Sequence, residues 1–507
     1  MKQLDVLFIN PNSAKETYQE LSNEYSAIEP PTWSLLLAEA CRRKGFSVQI
    51  LDCDAERLTK TGAVERIKYE NPRLACFVVY GQNPNSGTTN MSGATKVAAS
   101  LKQESDITTC FVGSHTSALP LEVINYDFVD FVLLNEGVYA LQNLLKTDLK
   151  TESQLTKVRG IGFTIDGQHL LNPPEHVVPQ DKMDTDLPGY AWDLLPYEKR
   201  PLDLYRAHFW HSNFNHGLRS PFAAIYTSLG CRFKCSFCMI NILNRNSNED
   251  GISAANSPMM RFWSPDFIIK EFDKLAKLGV ETLRISDEMF FLDKRYFEPL
   301  VNTLAERDYG FNMWAYSRVD TVREKYLEIF KKAGINWLAL GIEAANQEIR
   351  QEVSKGTFKE VNIRKIVKQI ADADINVISN YIFGFPDDNM DSMNHTLDLA
   401  LELNTEMANM YPCQALPGSP LYYEAGTHGW ELPRTYEGYS FLSYETQPLP
   451  TRHLSAEEVL RFRDDAWNTY FRQPAYLDLV EKRFGLQQRH NVENMSTIKL
   501  KRKILGD

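Results

Sequence analysis

Short apolar runs recur along this chain in a regular rhythm, each followed by a stretch of helical periodicity. That rhythm restricts the fold more than any other feature. In residues 1–150 the runs "DVLFINP" (5–11), "SVQILD" (47–52), "LACFVVY" (74–80), "TTCFVG" (108–113) and "VDFVLL" (129–134) have the length and composition of strands. The intervening "TWSLLLAEACRRKG" (32–45) sets Leu36, Leu37, Ala40 and Cys41 on one helical face and stops at Gly45. Five such units imply an α/β fold with a doubly wound, Rossmann-like parallel sheet, whose ligands lie outside the carboxyl ends of the strands. Those ends are small and polar: "NPNS" (10–13), "YGQNPNSG" (80–87), "GSHTS" (113–117) and "NEGVYA" (135–140). Prolines punctuate 151–220, a connecting segment with a hairpin expected near "GIGFTIDGQHLL" (160–171). The rhythm resumes at "FAAIYTS" (222–228), "TLRIS" (282–286), "FNMWAYS" (311–317), "NWLALGI" (336–342), "NVISNYIF" (376–383) and "ANMYPCQ" (408–414), which predicts a partial (β/α)6 barrel over 221–430. Residues 431–507 form a small, mostly helical C-terminal region, with helices expected at 455–472 and 474–484 and a basic surface tail, "TIKLKRKILGD".

Bulk properties exclude several classes. Net charge is −11 over 507 residues, which argues against a broad nucleic-acid footprint. No apolar run approaches the ~18–20 residues of a membrane span, and "MKQLDVLFINP" has no signal-peptide core. The expected location is cytoplasmic, where disulfides are rare. Of the scattered cysteines Cys41, Cys53, Cys76, Cys110 and Cys413, most sit in apolar surroundings and read as small core residues.

The remaining three cysteines are different. Cys231, Cys235 and Cys238 lie together in "TSLGCRFKCSFCMIN" (227–241), directly after the first barrel strand. Three thiolates on one loop suit an iron–sulfur cluster, and a 4Fe–4S cube so held keeps one iron open for another ligand. The competing reading is a zinc site completed by an upstream His208, His211 or His216.

The spacing in "CRFKCSFC", placed after the first strand of a six-unit barrel, resembles the radical S-adenosylmethionine (SAM) superfamily. The resemblance implies that the open iron is chelated by SAM, whose cleavage gives a 5′-deoxyadenosyl radical. It implies SAM contacts at Phe237, before the third cysteine; at Asp287 and Glu288 in "SDEMFF"; at Ser317 and Arg318 in "SRVD"; and at Glu343 in "GIEAAN". Ile382 and Phe383 of "YIFGFPDDN" are implied to pack the adenine, with Gly384 admitting it. The first 150 residues are similar to the cobalamin-binding domain of the cobalamin-dependent (B12-binding) members. The matching segments are "PPTWSLLLAEACRRKGFSVQILD" (30–52), "FVGSHTSALP" (111–120) and "VDFVLLNEGVYALQNLL" (129–145). Ser114 and Asn135 stand where that family has glycines. The implied cobalamin contacts are Asn12, Trp33, Tyr80, Gln82, Gly113, Ser114, His115, Glu136 and Gly137, with Asn83 beside Gln82. No Asp-x-His-x-x-Gly motif is present to offer cobalt a lower histidine, and "INPNSAKE" lacks the glycine fingerprint of a dinucleotide site.

By this resemblance the chain is expected to be a cobalamin-dependent radical SAM methyltransferase. A small-molecule substrate would lose hydrogen from an unactivated carbon and receive methyl from methylcobalamin. A flavodoxin or ferredoxin would supply electrons, and no acid or base is assigned. The alternatives are a rearrangement, cyclisation or oxidation without methyl transfer, or a non-catalytic cobalamin sensor or carrier. Tyr436, Tyr439 and Tyr444 in "TYEGYSFLSYETQPLP" (435–450) are placed to help close the barrel mouth.

Overall fold

The computed structural model describes residues 3–82, 84–249, 251–354 and 356–507, and the backbone alone at Pro84 and His216. Asn83 lies outside the described residues, as does the side chain of His216. Two large sheets organise the chain. The first comprises β1 (Val6–Asn10), β2 (Val48–Asp52), β3 (Leu74–Val79), β4 (Thr108–Gly113), β5 (Phe131–Leu133), β6 (Ile161–Ile165) and β7 (Gln168–Leu171). Its order is β2-β1-β3-β4-β5-β6-β7, with β1 to β5 parallel and the β6–β7 hairpin added antiparallel at one edge. The hairpin expected in the connecting segment therefore forms as an extension of the first sheet.

Alternation along the strands explains the layering. Val6, Phe8, Leu74 and Cys76 enter one core, and Leu7, Ile9, Ala75 and Phe77 enter the other. Both faces are buried, as a parallel sheet flanked by helices requires.

After β8 (Phe222–Ile225) come β9 (Ser228–Cys231) and β10 (Met259–Phe262), a two-stranded antiparallel ribbon. The barrel sheet is completed by β11 (Thr282–Ile285), β12 (Asn312–Arg318), β13 (Ile335–Glu343), β14 (Asn376–Phe383) and β15 (Met407–Pro412). Its order is β15-β14-β13-β12-β11-β8 and all neighbours run parallel. All six expected barrel strands are present, and the ribbon is additional. A helix over Pro265–Lys277 follows Ser264, whose hydroxyl caps the Phe267 amide at 3.2 Å.

One apolar cluster runs from Val6 and Trp33 through Trp210 to Trp337, so the two sheets share a core. The segment before β8 is laid over both: Ile28 and Arg206 exchange backbone hydrogen bonds, and the Tyr190 hydroxyl donates to the Tyr226 carbonyl at 2.9 Å. The C-terminal helices Ala456–Arg472, Pro474–Phe484 and Leu486–Thr497 cover β15 and its neighbours. The basic end lies at the surface, as expected, but is pinned there by one buried side chain. Arg502 is 1% exposed and donates to both carboxylate oxygens of Asp464 at 2.9 Å, because a buried guanidinium needs a fixed acceptor set. Among the described residues no helix is long and apolar enough to cross a membrane.

Candidate functional site

The ribbon ends at Cys231, and the chain then turns through Cys235 and Cys238 over the carboxyl end of the barrel. The loop is held from several sides. The Cys231 amide donates to Asn241 Oδ1 at 3.2 Å, and Asn241 Nδ2 returns to the Phe233 carbonyl at 3.2 Å. The Ser236 amide donates to the Val353 carbonyl at 2.7 Å, and the Ser236 carbonyl accepts from the Leu421 amide at 2.8 Å. The Arg318 guanidinium lies 3.7 Å from the Phe233 ring centre. Burial pushes each of the three thiols up to about 12, and the charge of one cysteine bears on the next: Cys235 on Cys231, Cys238 on Cys235, Cys231 on Cys238. Among the described residues no three His, Cys, Asp or Glu side chains form a group that could hold a single metal ion. Three thiols from one loop are the donor type that iron–sulfur clusters take. His208 and His211 are committed elsewhere, to Glu29 at 3.2 Å and to the Asn312 carbonyl at 3.0 Å. The donor set fits a cluster.

The carboxylates expected near SAM divide into two kinds. Asp287 is fully buried, and its oxygens accept from the Thr227 amide, the Thr227 hydroxyl and the Ser228 hydroxyl, each at 2.6 Å. It ties β8 to the ribbon and has no oxygen left to present. Glu288 and Glu343 are open instead. Glu288 Oε2 is buried without a hydrogen-bond partner, and burial pushes this carboxyl up to about 8. Glu343 ends β13 at φ 66°, and burial raises it to about 7 against the pull of Arg318. Two carboxyls so raised would ionise fully beside an incoming cation, such as an amine. Ser317 turns to the Thr321 hydroxyl at 2.9 Å. Arg318 is buried and bidentate to Asp320 at 2.6 and 2.8 Å, so it pairs inside the protein. Phe237 and Ile382 share the apolar cluster above the barrel mouth with Ala344 and Phe385. Phe383 departs from the expectation: it points to the opposite face, edge-on to Phe462, because neighbours on a strand alternate. Gly384 likewise admits Val459, whose Cγ1 would lie 2.4 Å from an added Cβ, rather than a ligand.

The expected cobalamin residues fare similarly. Trp33 stacks on Tyr80 at 4.4 Å, and the Tyr80 hydroxyl donates to the Asn135 carbonyl at 3.2 Å. Trp33 Nε1 is buried without a partner and shares a small gap with Glu288. Asn12 accepts from the Ala14 amide at 3.1 Å, closing a turn. Gly113 and Gly137 are packing positions: an added Cβ would meet the Val79 carbonyl oxygen at 2.3 Å and the Val112 side chain at 2.7 Å. Ser114 is buried against Gly87. His115 engages both ring nitrogens, with Thr88 Oγ1 at 3.1 Å and Glu122 Oε1 at 3.2 Å. Glu136 accepts from Arg261 of β10 at 2.8 Å and from the Val178 amide, a structural tie between the sheets.

Of these, Gln82 alone lines the large cavity between the sheets, of about 740 Å³. Its walls come from the loop after β3 (Gln82, Asn85, Ser86), from Trp314 and Tyr316 of β12, and from Asn409 and Tyr411 of β15. The expected mouth tyrosine Tyr439 also lines it. Asn85 joins the cavity to the cysteine loop: its Nδ2 donates to Cys238 Sγ at 3.8 Å and its Oδ1 accepts from the Met239 amide at 3.0 Å. Deeper in the barrel, Arg284 pairs with Glu29 at 2.5 Å and bonds the Tyr316 hydroxyl at 3.1 Å. Asn85 lies in the strand-end segment "YGQNPNSG" (80–87) but nothing there singles it out, and Glu29 carries no local sequence signal. A cavity walled by both sheets and linked to Cys238 through Asn85 puts a bound ligand between the two domains, within reach of the cysteine loop.

Comparison with known proteins agrees with this geometry. Residues 225–400 match the radical SAM superfamily and residues 21–145 match the B12 binding domain. An uncharacterized methyltransferase of Pyrococcus horikoshii is 23% identical over 94% of this chain and 94% of its own. The anaerobic magnesium-protoporphyrin IX monomethyl ester cyclase of Rubrivivax gelatinosus is 25% identical over 83% of this chain and 70% of its own. The hopanoid C-3 methylase of Methylococcus capsulatus is 22% identical over 67% and 60%. Among solved structures, the radical SAM methyltransferase TsrM of Kitasatospora setae, with cobalamin and a [4Fe-4S] cluster bound, superposes with a TM-score of 0.67 at 13% identity, covering 98% of this chain and 99% of its own. The cobalamin-dependent radical enzyme OxsB gives 0.67 at 14% identity, over 98% and 71%. Two domains of known kind thus follow one another on the two sheets. The chain belongs to the cobalamin-dependent radical SAM proteins and is an enzyme of that class. Its cofactors are a 4Fe–4S cluster, SAM and cobalamin.

Proposed function

We propose that this enzyme transfers a methyl group to an unactivated carbon of a small molecule. The observation that carries the reading is Asn85, which lines the inter-sheet cavity and also contacts Cys238, so one enclosed space borders both domains' ligand positions. When bound, the cluster with SAM supplies one-electron cleavage of a sulfonium, and cobalamin supplies a methyl carrier. The chain's own residues do the rest. Cys231, Cys235 and Cys238 would hold the cluster. Glu288 and Glu343 offer carboxylates to the SAM amine, and Phe237 and Ile382 offer an apolar face to its base. Arg318, locked to Asp320, braces the cysteine loop through Phe233. Gln82 and Ser86 face the cavity from the first domain. Trp210, Trp314 and Tyr316 exclude water from its barrel side, which strengthens every electrostatic contact inside. A small redox protein such as flavodoxin or ferredoxin would deliver electrons.

Two measurements test this. Anaerobic reconstitution with iron, sulfide and cobalamin should load iron in the parent chain and lose it in a Cys231→Ala, Cys235→Ala, Cys238→Ala triple variant. Unchanged iron would overturn the cluster assignment. Methyl transfer should give S-adenosylhomocysteine alongside 5′-deoxyadenosine. The similarity to a cyclase over 83% of the chain supports a second reading, ring closure without methyl transfer, which would give 5′-deoxyadenosine alone.

A further inference from the structure

The wall of the cavity away from the cysteine loop carries a buried positive charge that must share its counter-ion. Arg463, on the helix Ala456–Arg472, is 3% exposed and lines the cavity. Its Nε donates to the Met410 carbonyl of β15 at 2.6 Å, and its Nη1 donates to Asp464 Oδ1 at 2.8 Å. That carboxylate is already shared. Arg502 takes both of its oxygens, each at 2.9 Å, and completes its own set with the Ser443 carbonyl and the Thr446 hydroxyl at 3.0 Å. Two guanidinium groups therefore face one carboxylate, which leaves one positive charge uncompensated. Arg463 Nη2 has no hydrogen-bond partner among the described residues. The other acidic groups at this wall do not supply one: Asp507 receives Lys499 at 3.3 Å and the Arg502 amide at 2.9 Å, and Asp465 is exposed.

A guanidinium that shares its carboxylate and turns a spare donor toward a cavity gains from an acceptor bound there. Burial and the neighbouring Arg502 both push Arg463 below its ordinary value, so it gains from any anion. The apolar surroundings say what the rest of that ligand is. Phe441 lies 5.4 Å from the guanidinium, and Tyr411 stands edge-on to Phe441 at 4.7 Å. Trp467 lines the same cavity.

We propose that Arg463 is the anion-binding residue of the substrate site, and that the substrate is an amphipathic molecule whose carboxylate or phosphate meets Arg463 while its ring or chain lies against Tyr411 and Phe441. This rests on the methyl transfer proposed above and on its substrate binding in this cavity. Cobalamin also carries a phosphate, so the test has an arm for each source.

The probes are a matched pair, indole-3-propionate and 3-(indol-3-yl)propanol, titrated calorimetrically into the cobalamin-loaded chain. The acid should bind tighter than the alcohol by about ten-fold or more, the range of a charge-assisted hydrogen bond. Arg463→Gln should bring the two to parity and Arg463→Lys should restore part of the preference, with corrin absorption unchanged in both. Equal binding of the pair, or no binding of either, to the parent chain overturns the proposal, and this measurement needs no variant to fold. Loss of corrin absorption in Arg463→Gln with the acid preference intact overturns it too, and assigns the anion to the cofactor's phosphate. A preserved acid preference in a chain that forms no S-adenosylhomocysteine would sink the methyl-transfer reading while leaving the anion site at Arg463 standing.

Discussion

Asn85 acts across 153 residues of sequence, donating to Cys238 Sγ and accepting from the Met239 amide. A hydrogen bond donated to a cluster thiolate stabilises the more negative, reduced state more than the oxidised one, and so raises the reduction potential. Asn85→Ala should therefore lower the cluster's reduction potential while iron content stays at the parent level. Asn85→Asp should lower it further, since a carboxylate beside the sulfur repels the added electron. A redox titration followed by electron paramagnetic resonance reads both. Potentials identical to the parent would show that the contact to Cys238 has no electronic role. The three cysteines were legible because their spacing is local, whereas Asn85 and Asn241, though inside the quoted rim and cysteine segments, have roles that depend on contacts only the fold makes. The Phe383 error had a usable signal: strand period two prevents Ile382 and Phe383 from facing the same side.

At the level of elements, apolar runs bounded by turn residues located every strand of both parallel sheets. The pieces that escaped are short or weakly patterned. The ribbon strands "SLGC" and "MMRF" are four residues each, and the first ends on Cys231, the first cysteine of the motif. The helix Leu486–Thr497 buries only Val492, Met495 and Ser496, too few to print a stripe. The anchor of the basic end escaped for a different reason: charge composition implies solvent, but Arg502 reaches a buried acceptor set that only the folded chain assembles. Arg502→Met should then cost about 2–3 kcal/mol, at the lower end for a broken buried pair because Asp464 keeps Arg463. Guanidinium denaturation of the apo chain measures it. A midpoint unchanged from the parent would return the last residues to the status of a loose tail.

Across the whole molecule, the two sheets are held by charge as well as by their shared core. Glu29 and Glu136, from the first domain, reach Arg284 and Arg261, from the barrel and its ribbon, at 2.5 and 2.8 Å. All four side chains are 6% exposed or less. Burial makes each pair asymmetric in its consequences: the intact pair contributes little net stability, but removing one partner strands a charge where water cannot reach it. Arg261→Met should cost about 3–5 kcal/mol on that ground. Adding Glu136→Gln should recover a large part of the loss, because the stranded charge is gone, and the double-mutant cycle isolates the coupling. The position of the pair adds a second expectation. Because the apolar cluster is continuous from Val6 to Trp337, the sheets should unfold together, so Arg261→Met should shift one calorimetric transition rather than split it in two. Two separated transitions in the parent chain would mean that the inter-sheet cavity opens without unfolding either domain, and the cavity could then not be the water-excluding chamber on which radical chemistry depends.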